Sequence, residues 1–306
     1  MVNFKVIGDR LSNWGRWGTD DARGTLNFIT AERIVEASRC VRTGKVFELS
    51  IPIGAVGPQT GLGGRINPLH FMTVMPTDDL HLADGINISD DFISMPLQGA
   101  TQWDSLAHVG YDDLFYNNVS VHSVMAMGGA SRNAIDNALP GIVGRGVLVD
   151  IARARGVEWM MPGEGIEPDE LDAALAAQGV TVGSGDILAV RTGWRRKAIV
   201  EGWENWMVGN PGLGLACADW LHDKEVAAVI SDNWCIEVQP AAAGEGVLPL
   251  HCVLIRDLGM MLGEIFDLEE LAADCVADGV WEFFLSAAPL RVVGGVGSPV
   301  SPLAMK

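Results

Sequence analysis

QGATQWDSLAH, residues 98–108, packs an acid, two glutamines and a histidine into eleven positions, with Gln98, Gln102, Asp104 and His108 at intervals of four, two and four. Side chains alternate along an extended segment, so Gln102 and Asp104 face one side, and a turn after Asp104 would bring His108 round to join them. Asp104 offers carboxylate oxygens, His108 a ring nitrogen that can ligate or act as a base, and each glutamine an amide oxygen. That set suits a cation site or an acid–base pair. The plainer alternative is an Asp and a Gln satisfying backbone donors at a strand end, and this stretch alone leaves the choice open.

The rest of the chain bounds the answer. Its 306 residues are 48% hydrophobic and 20% charged, the balance of a well-packed globular protein rather than a disordered one. A formal net charge of -18 repels phosphate backbones, and no Lys/Arg cluster reverses it locally, so nucleic acid is excluded as a partner. The same field slows strongly anionic ligands unless a local cation such as Arg65 assists them. No run of eighteen apolar residues occurs, which argues against a membrane span. Cys40, Cys217, Cys235, Cys252 and Cys275 are scattered and form no CxxC pair, a pattern of reduced, buried thiols. Together with an N-terminus (MVNFKVIGDRLSNWGRWG) that lacks a secretory pattern, this leads to the expectation of a cytoplasmic protein.

Neither repeats nor linkers divide the chain. Residues 1–30 read as an irregular arm, and TAERIVEASRCVRTG as a helix capped by Thr30 and closed by Gly44. KVFELSIPI reads as a strand, and Gly54–Asp91 as a long, functional loop region. GVLVDI, DILAVRT and VAAVIS read as strands. PDELDAALAAQG, LACADWLHDK, LHCVLIRDLGMML and DLEELAADCVADG read as helices, and WEFFLSAAPLRVVGG as strand material. The class is therefore α/β with a mixed sheet rather than a simple doubly wound one. The boundaries expected are 1–44 for arm and helix and 45–306 for the main body, one domain overall.

A second constellation is His251 and Glu264, thirteen residues apart. On a continuous helix they would lie more than three turns apart, so they can meet only if the helix breaks near Gly259 or Gly263. A lone histidine at a helix start is more often structural, and that alternative stays open here. GLGGR and GGVGSP are not framed as phosphate loops, no GxSxG elbow occurs, and no cysteine has a visible base. His70, His81, His122 and His222 are isolated. Trp14, Trp17, Trp103 and Phe71, set in polar or loop segments, are candidate walls of an aromatic substrate pocket.

QGATQWDSLAH resembles the HxGTHxDxxxH motif of the cyclase-like metal-dependent hydrolases, the family of bacterial kynurenine formamidase and isatin hydrolase. GDILAVRTGW, ACADWLHDKEVAAVISD, PLHCVLIRDLGMMLGEIFDLEELA and FFLSAAPLRVVGGVGSPVSPLA resemble that family's later blocks in the same order, so the likeness runs over about residues 45–304. It implies a swivelling β/β/α fold, usually assembled as homodimers or homotetramers. It also implies that Asp104 is a metal ligand and His108 the catalytic base, and that His251 and Glu264 match the distal His and Glu of the centre. The motif's first two histidines fall on Gln98 and Gln102. Amide oxygens are weaker, harder ligands than imidazoles, so the expected site of Gln98, Gln102, Asp104, His251 and Glu264 favours Mn²⁺ over Zn²⁺ and binds less tightly.

The function expected from that resemblance is hydrolysis of a C–N or C–O acyl bond in a small cyclic or aromatic amide, formamide, imide or lactone. The alternatives are a metal-independent lyase or cyclase using Asp104 and His108, and a non-catalytic ligand-binding relative.

Overall fold

The computed structural model describes residues 3–78 and 83–306; His81 lies outside them. Nine strands form one sheet: β1 (Val46–Glu48), β2 (Gln102–Asp104), β3 (Val143–Asp150), β4 (Ile187–Arg191), β5 (Ala228–Ser231), β6 (Met261–Glu264), β7 (Glu282–Ser286), β8 (Gly297–Pro299) and β9 (Leu303–Met305). Their spatial order is β1-β9-β7-β3-β4-β5-β6-β2-β8. The central β3–β4–β5–β6 pairs are parallel and the flanking pairs antiparallel, which makes the sheet mixed as expected. Val147–Val149, Ile187–Ala189, Ala228–Ile230 and Met261–Leu262 are fully buried. Parallel strands covered on both faces read as short continuous apolar runs, which is why GVLVDI and VAAVIS stand out in the sequence.

Several helices form where the sequence places them. Thr30 caps Ala31–Ser38, its hydroxyl accepting from the Arg33 amide at 3.3 Å, and the helix stops at Ser38, short of Gly44. Pro168–Gln178 begins with Pro at its first position and ends at Gly179. Both helices pack against β3. Cys217–Asp223 and Glu269–Asp278 complete this group.

Three expectations need correction. The arm is not irregular throughout, because Phe4–Leu11 is a helix capped by Asn3, with Leu11 buried and Phe4 and Ile7 packed against the core. An interior glycine and a length of eight residues hide its amphipathic spacing in the sequence. The long loop contains an antiparallel hairpin, Leu69–Val74 with Asp90–Ser94, whose side chains are almost all exposed. LHCVLIRDLGMML is not one helix: Pro249–His251 is a single α-turn, Cys252–Leu258 a π-helix, and Met261 onward is strand β6.

The break falls at Gly259, whose φ of 71° lies in the left-handed region. A Cβ there would stand 2.4 Å from the buried Tyr116 ring. Gly259→Ala should therefore destabilise the protein by about 2–5 kcal/mol, through backbone strain and overpacking together. Urea unfolding followed by circular dichroism checks this; an unchanged midpoint would show that the turn tolerates a side chain.

Candidate functional site

The site is assembled by register. Strand β6 pairs antiparallel with β2, so Glu264 lies opposite Gln102, Gly263 opposite Trp103 and Leu262 opposite Asp104. Directly opposed residues share a face, so Gln102, Asp104 and Glu264 project together while Trp103 projects the other way. On that opposite face a Cβ on Gly263 would stand 2.9 Å from the Trp103 ring and 2.6 Å from Ile230. The large residue fills the space the small one leaves.

Trp103 is therefore core, not a pocket wall: it is fully buried, meets Phe266 edge-on, and donates its indole N–H to the Ala287 carbonyl at 2.8 Å. Strand alternation sends it away from its two neighbours, a consequence the pocket-wall expectation overlooked. Trp14 and Trp17 are half-buried and engaged in packing. The Trp14 indole donates to the Arg256 carbonyl at 2.7 Å under the Arg256 guanidinium, and Trp17 packs edge-on against Phe28. Phe71 stands on the exposed hairpin at 51% exposure, apart from the buried cluster.

The cluster itself is dense. Gln102 Nε2 donates to Glu264 Oε2 at 2.9 Å and lies 3.5 Å from Asp104 Oδ1. The turn at Gly259 folds the His251 segment back over β6, so that His251 Nε2 and Glu264 Oε1 are 3.2 Å apart. Ligand atoms of Asp104, His251 and Glu264 all lie within 4.8 Å of one another, and all three residues are buried. Gln98 is also buried; its amide nitrogen lies where a Cβ on Gly297, the β8 residue opposite Asp104, would stand 2.4 Å away. Gln59 pins this loop by donating to the carbonyls of Gln98 and Gly99 at 3.3 and 3.2 Å.

His108 sits at the edge. The turn after β2, closed by the His108 amide on the Ser105 carbonyl at 3.0 Å, brings its Nε2 to 3.7 Å from Asp104 Oδ1. Its side chain keeps 20% exposure while that of Asp104 keeps 1%, so the imidazole is the more accessible of the pair. Burial holds the His108 pKa below its ordinary value against the opposing pull of Asp104, leaving the ring neutral near pH 7. Burial would also lower the pKa of His251, but hydrogen bonds and charges from Glu237 and Glu264 outweigh it and raise it. Burial and the charge of Asp104 raise the pKa of Glu264, against His251 and Arg65. The charge of Arg65 is thus felt at both His108 and Glu264.

Two neighbours were invisible in the sequence. Cys235 and Glu237 group with His251 in a second buried set whose ligand atoms lie within 4.8 Å of one another. They sit in CIEVQP, fourteen or more residues before His251, with no periodicity to connect them. Only the fold brings them together.

A divalent cation fits the donor set. Asp104 Oδ2, Gln102 Oε1 and Gln98 Nε2 are buried without a hydrogen-bond partner. Unpartnered buried polar atoms cost free energy unless something completes them. A cation would complete the two oxygens, and a half-turn of the Gln98 amide would present its oxygen as well. The five residues expected as ligands are all buried here, and three of them, Asp104, His251 and Glu264, bring ligand atoms within 4.8 Å of one another.

Among the described residues no helix is long and apolar enough to cross a membrane. The cyclase family model matches residues 47–238. A crystal structure described as a novel cyclase is 42% identical, with a TM-score of 0.89, over 96% of this chain and 99% of that one. Isatin hydrolase A from Ralstonia solanacearum matches at 18% identity and TM-score 0.63, over 90% and 98% of the two chains. Isatin hydrolase A from Labrenzia aggregata matches at 17% and 0.61, over 89% and 97%. At such identities these two share the fold alone. No curated protein matches the chain. With nearly two-thirds of its length under the family model and a 42% identical relative along almost all of it, the chain belongs to the cyclase family.

Proposed function

We propose that this protein is a metal-dependent hydrolase of a C–N or C–O acyl bond in a small cyclic or aromatic amide, formamide, imide or lactone. The observation that carries the reading is the buried convergence of Asp104, His251 and Glu264, with Asp104 Oδ2 unpartnered and His108 beside Asp104 at the more exposed edge. Gln98, Gln102, Asp104, His251 and Glu264 would hold the ion, and the oxygen-rich set favours Mn²⁺ over Zn²⁺. When bound, the ion supplies Lewis acidity toward a carbonyl and a water.

The chain's own residues do the rest. His108 Nε2 takes the proton of the attacking water and returns it to the leaving nitrogen or oxygen, so the water's hydroxyl ends on the acyl carbon and its proton on the leaving group. Asp104, 3.7 Å away, stabilises the imidazolium that forms in between. Arg65, whose positive charge acts at His108, would favour the carboxylate that hydrolysis releases and offset the negative field of the molecule. The substrate would enter from the exposed side of His108. A homo-oligomeric assembly in the cytoplasm, with a small-molecule substrate and no nucleic-acid partner, belongs to the same proposal.

One contact favours a second reading. Gln102 Nε2 faces carboxylate oxygens of both Glu264 and Asp104, so hydrogen bonds from the amide and the charge of a protonated His251 can partly compensate the carboxylates without an ion. Asp104 and His108 would then act as a metal-free acid–base pair in a lyase or cyclase.

Elemental analysis of protein purified without chelator separates the two readings. The metal reading expects close to one divalent ion per chain and its loss in Asp104→Ala; a wild-type protein that stays empty after addition of Mn²⁺ supports the second. His108→Ala should reduce turnover of a responsive lactone or imide on the order of a hundredfold or more. Its metal content should stay unchanged, and loss of metal would make His108 a ligand instead. Reaction in ¹⁸O-labelled water must place the label in the product, and its absence would exclude hydrolysis.

A further inference from the structure

His251 is gripped from behind. Glu237 is 1% exposed, and among the described residues the hydrogen bonds of its carboxylate run to the segment that carries the histidine. Its Oε2 accepts the Leu250 amide at 3.1 Å; its Oε1 accepts the His251 amide at 2.8 Å and lies 2.5 Å from His251 Nδ1. The same carboxylate therefore fixes both the backbone of the helical turn and the rotation of the ring. With Nδ1 held there, the opposite nitrogen, Nε2, faces Glu264 at 3.2 Å, within the buried group that also includes Asp104.

We infer that Glu237 is the positioning residue of the centre: it keeps the proton on Nδ1 and turns Nε2, with its lone pair, to the ion. The inference rests on the metal reading above. A carboxylate behind a ligating imidazole raises its basicity and removes the rotational freedom that binding would otherwise have to freeze. A ring held by a neutral partner, or by none, could rotate about its χ2 torsion or present the other tautomer. The role matters more here than in a site with three imidazoles, because His251 is the sole ring nitrogen among the five proposed ligands.

The test compares full-length wild type with Glu237→Gln, which keeps the volume but removes the charge and one acceptor. Mn²⁺ alone is titrated into chelator-stripped protein, with free Mn²⁺ read by electron paramagnetic resonance. Glu237→Gln should bind roughly ten- to a hundredfold more weakly. In ¹⁵N-histidine-labelled, metal-free protein, wild type should show a low-field, exchange-protected His251 Nδ1 proton that moves to higher field or is lost when the variant's neutral amide replaces the carboxylate. Equal Mn²⁺ affinity in the two proteins overturns the inference. If wild type takes up no Mn²⁺, the metal reading falls by itself, and the resonance then decides whether Glu237 holds the ring: its persistence at an unchanged position in Glu237→Gln refutes that. Should Glu237→Gln fail to fold, Glu237→Asp, which draws the charge back by one methylene, is measured in the same two ways.

Discussion

The antiparallel pairing of Gln102–Asp104 with Met261–Glu264 is the constraint on which the rest of this molecule depends. Its register sorts side chains onto two faces with opposite fates. One face receives Trp103 over Gly263 and becomes core; the other receives Gln102, Asp104 and Glu264 and becomes the site. A slip by one residue would bury the wrong set and turn the tryptophan into the pocket. The bulk of Trp103 against the missing side chain of Gly263 opposes that slip, so core packing and site geometry are secured by the same contact.

Electrostatics then decides what the assembled face can do. Asp104, Glu237 and Glu264 are buried around one histidine, and buried carboxylates are tolerated only with partners. His251 bridges two of them, and the Gln102 amide reaches between Glu264 and Asp104. This compensation is incomplete, since one oxygen of Asp104 and the oxygen of Gln102 stay unpartnered. A molecule of net charge -18 surrounding such a cluster draws cations toward it. The imbalance costs the cluster free energy, and a bound cation would relieve it.

The segment from Glu237 to Glu264 joins these two levels. The π-helix and the turn at Gly259 reverse the chain so that His251 faces the strand that follows it. The segment that follows the N-terminal helix secures this reversal from outside: Asn13 donates to the Leu258 carbonyl at 3.0 Å and Trp14 to that of Arg256. The aromatic residues near the N-terminus therefore support the scaffold behind the histidine.

Much of this was legible in order along the chain. The apolar runs of the central strands, the Thr30 cap, the Pro168 start and the mixed α/β class follow from local physics: periodicity, capping and burial. The motif around Asp104 and the blocks that follow it carried the family. The sequence by itself also set the condition for His251 and Glu264 to meet, a helix broken near Gly259 or Gly263, because glycine enters the left-handed region without the steric cost a side chain adds. It did not determine that the break occurs at Gly259, that Met261–Glu264 is a strand, or that Trp103 faces inward. Those depend on which strand pairs with which, and in what register. Nor could it find Glu237, whose role exists only across a contact of fourteen residues' separation. Local order is written in neighbouring residues; the site is a meeting of distant ones, and only the closed sheet brings them within a hydrogen bond.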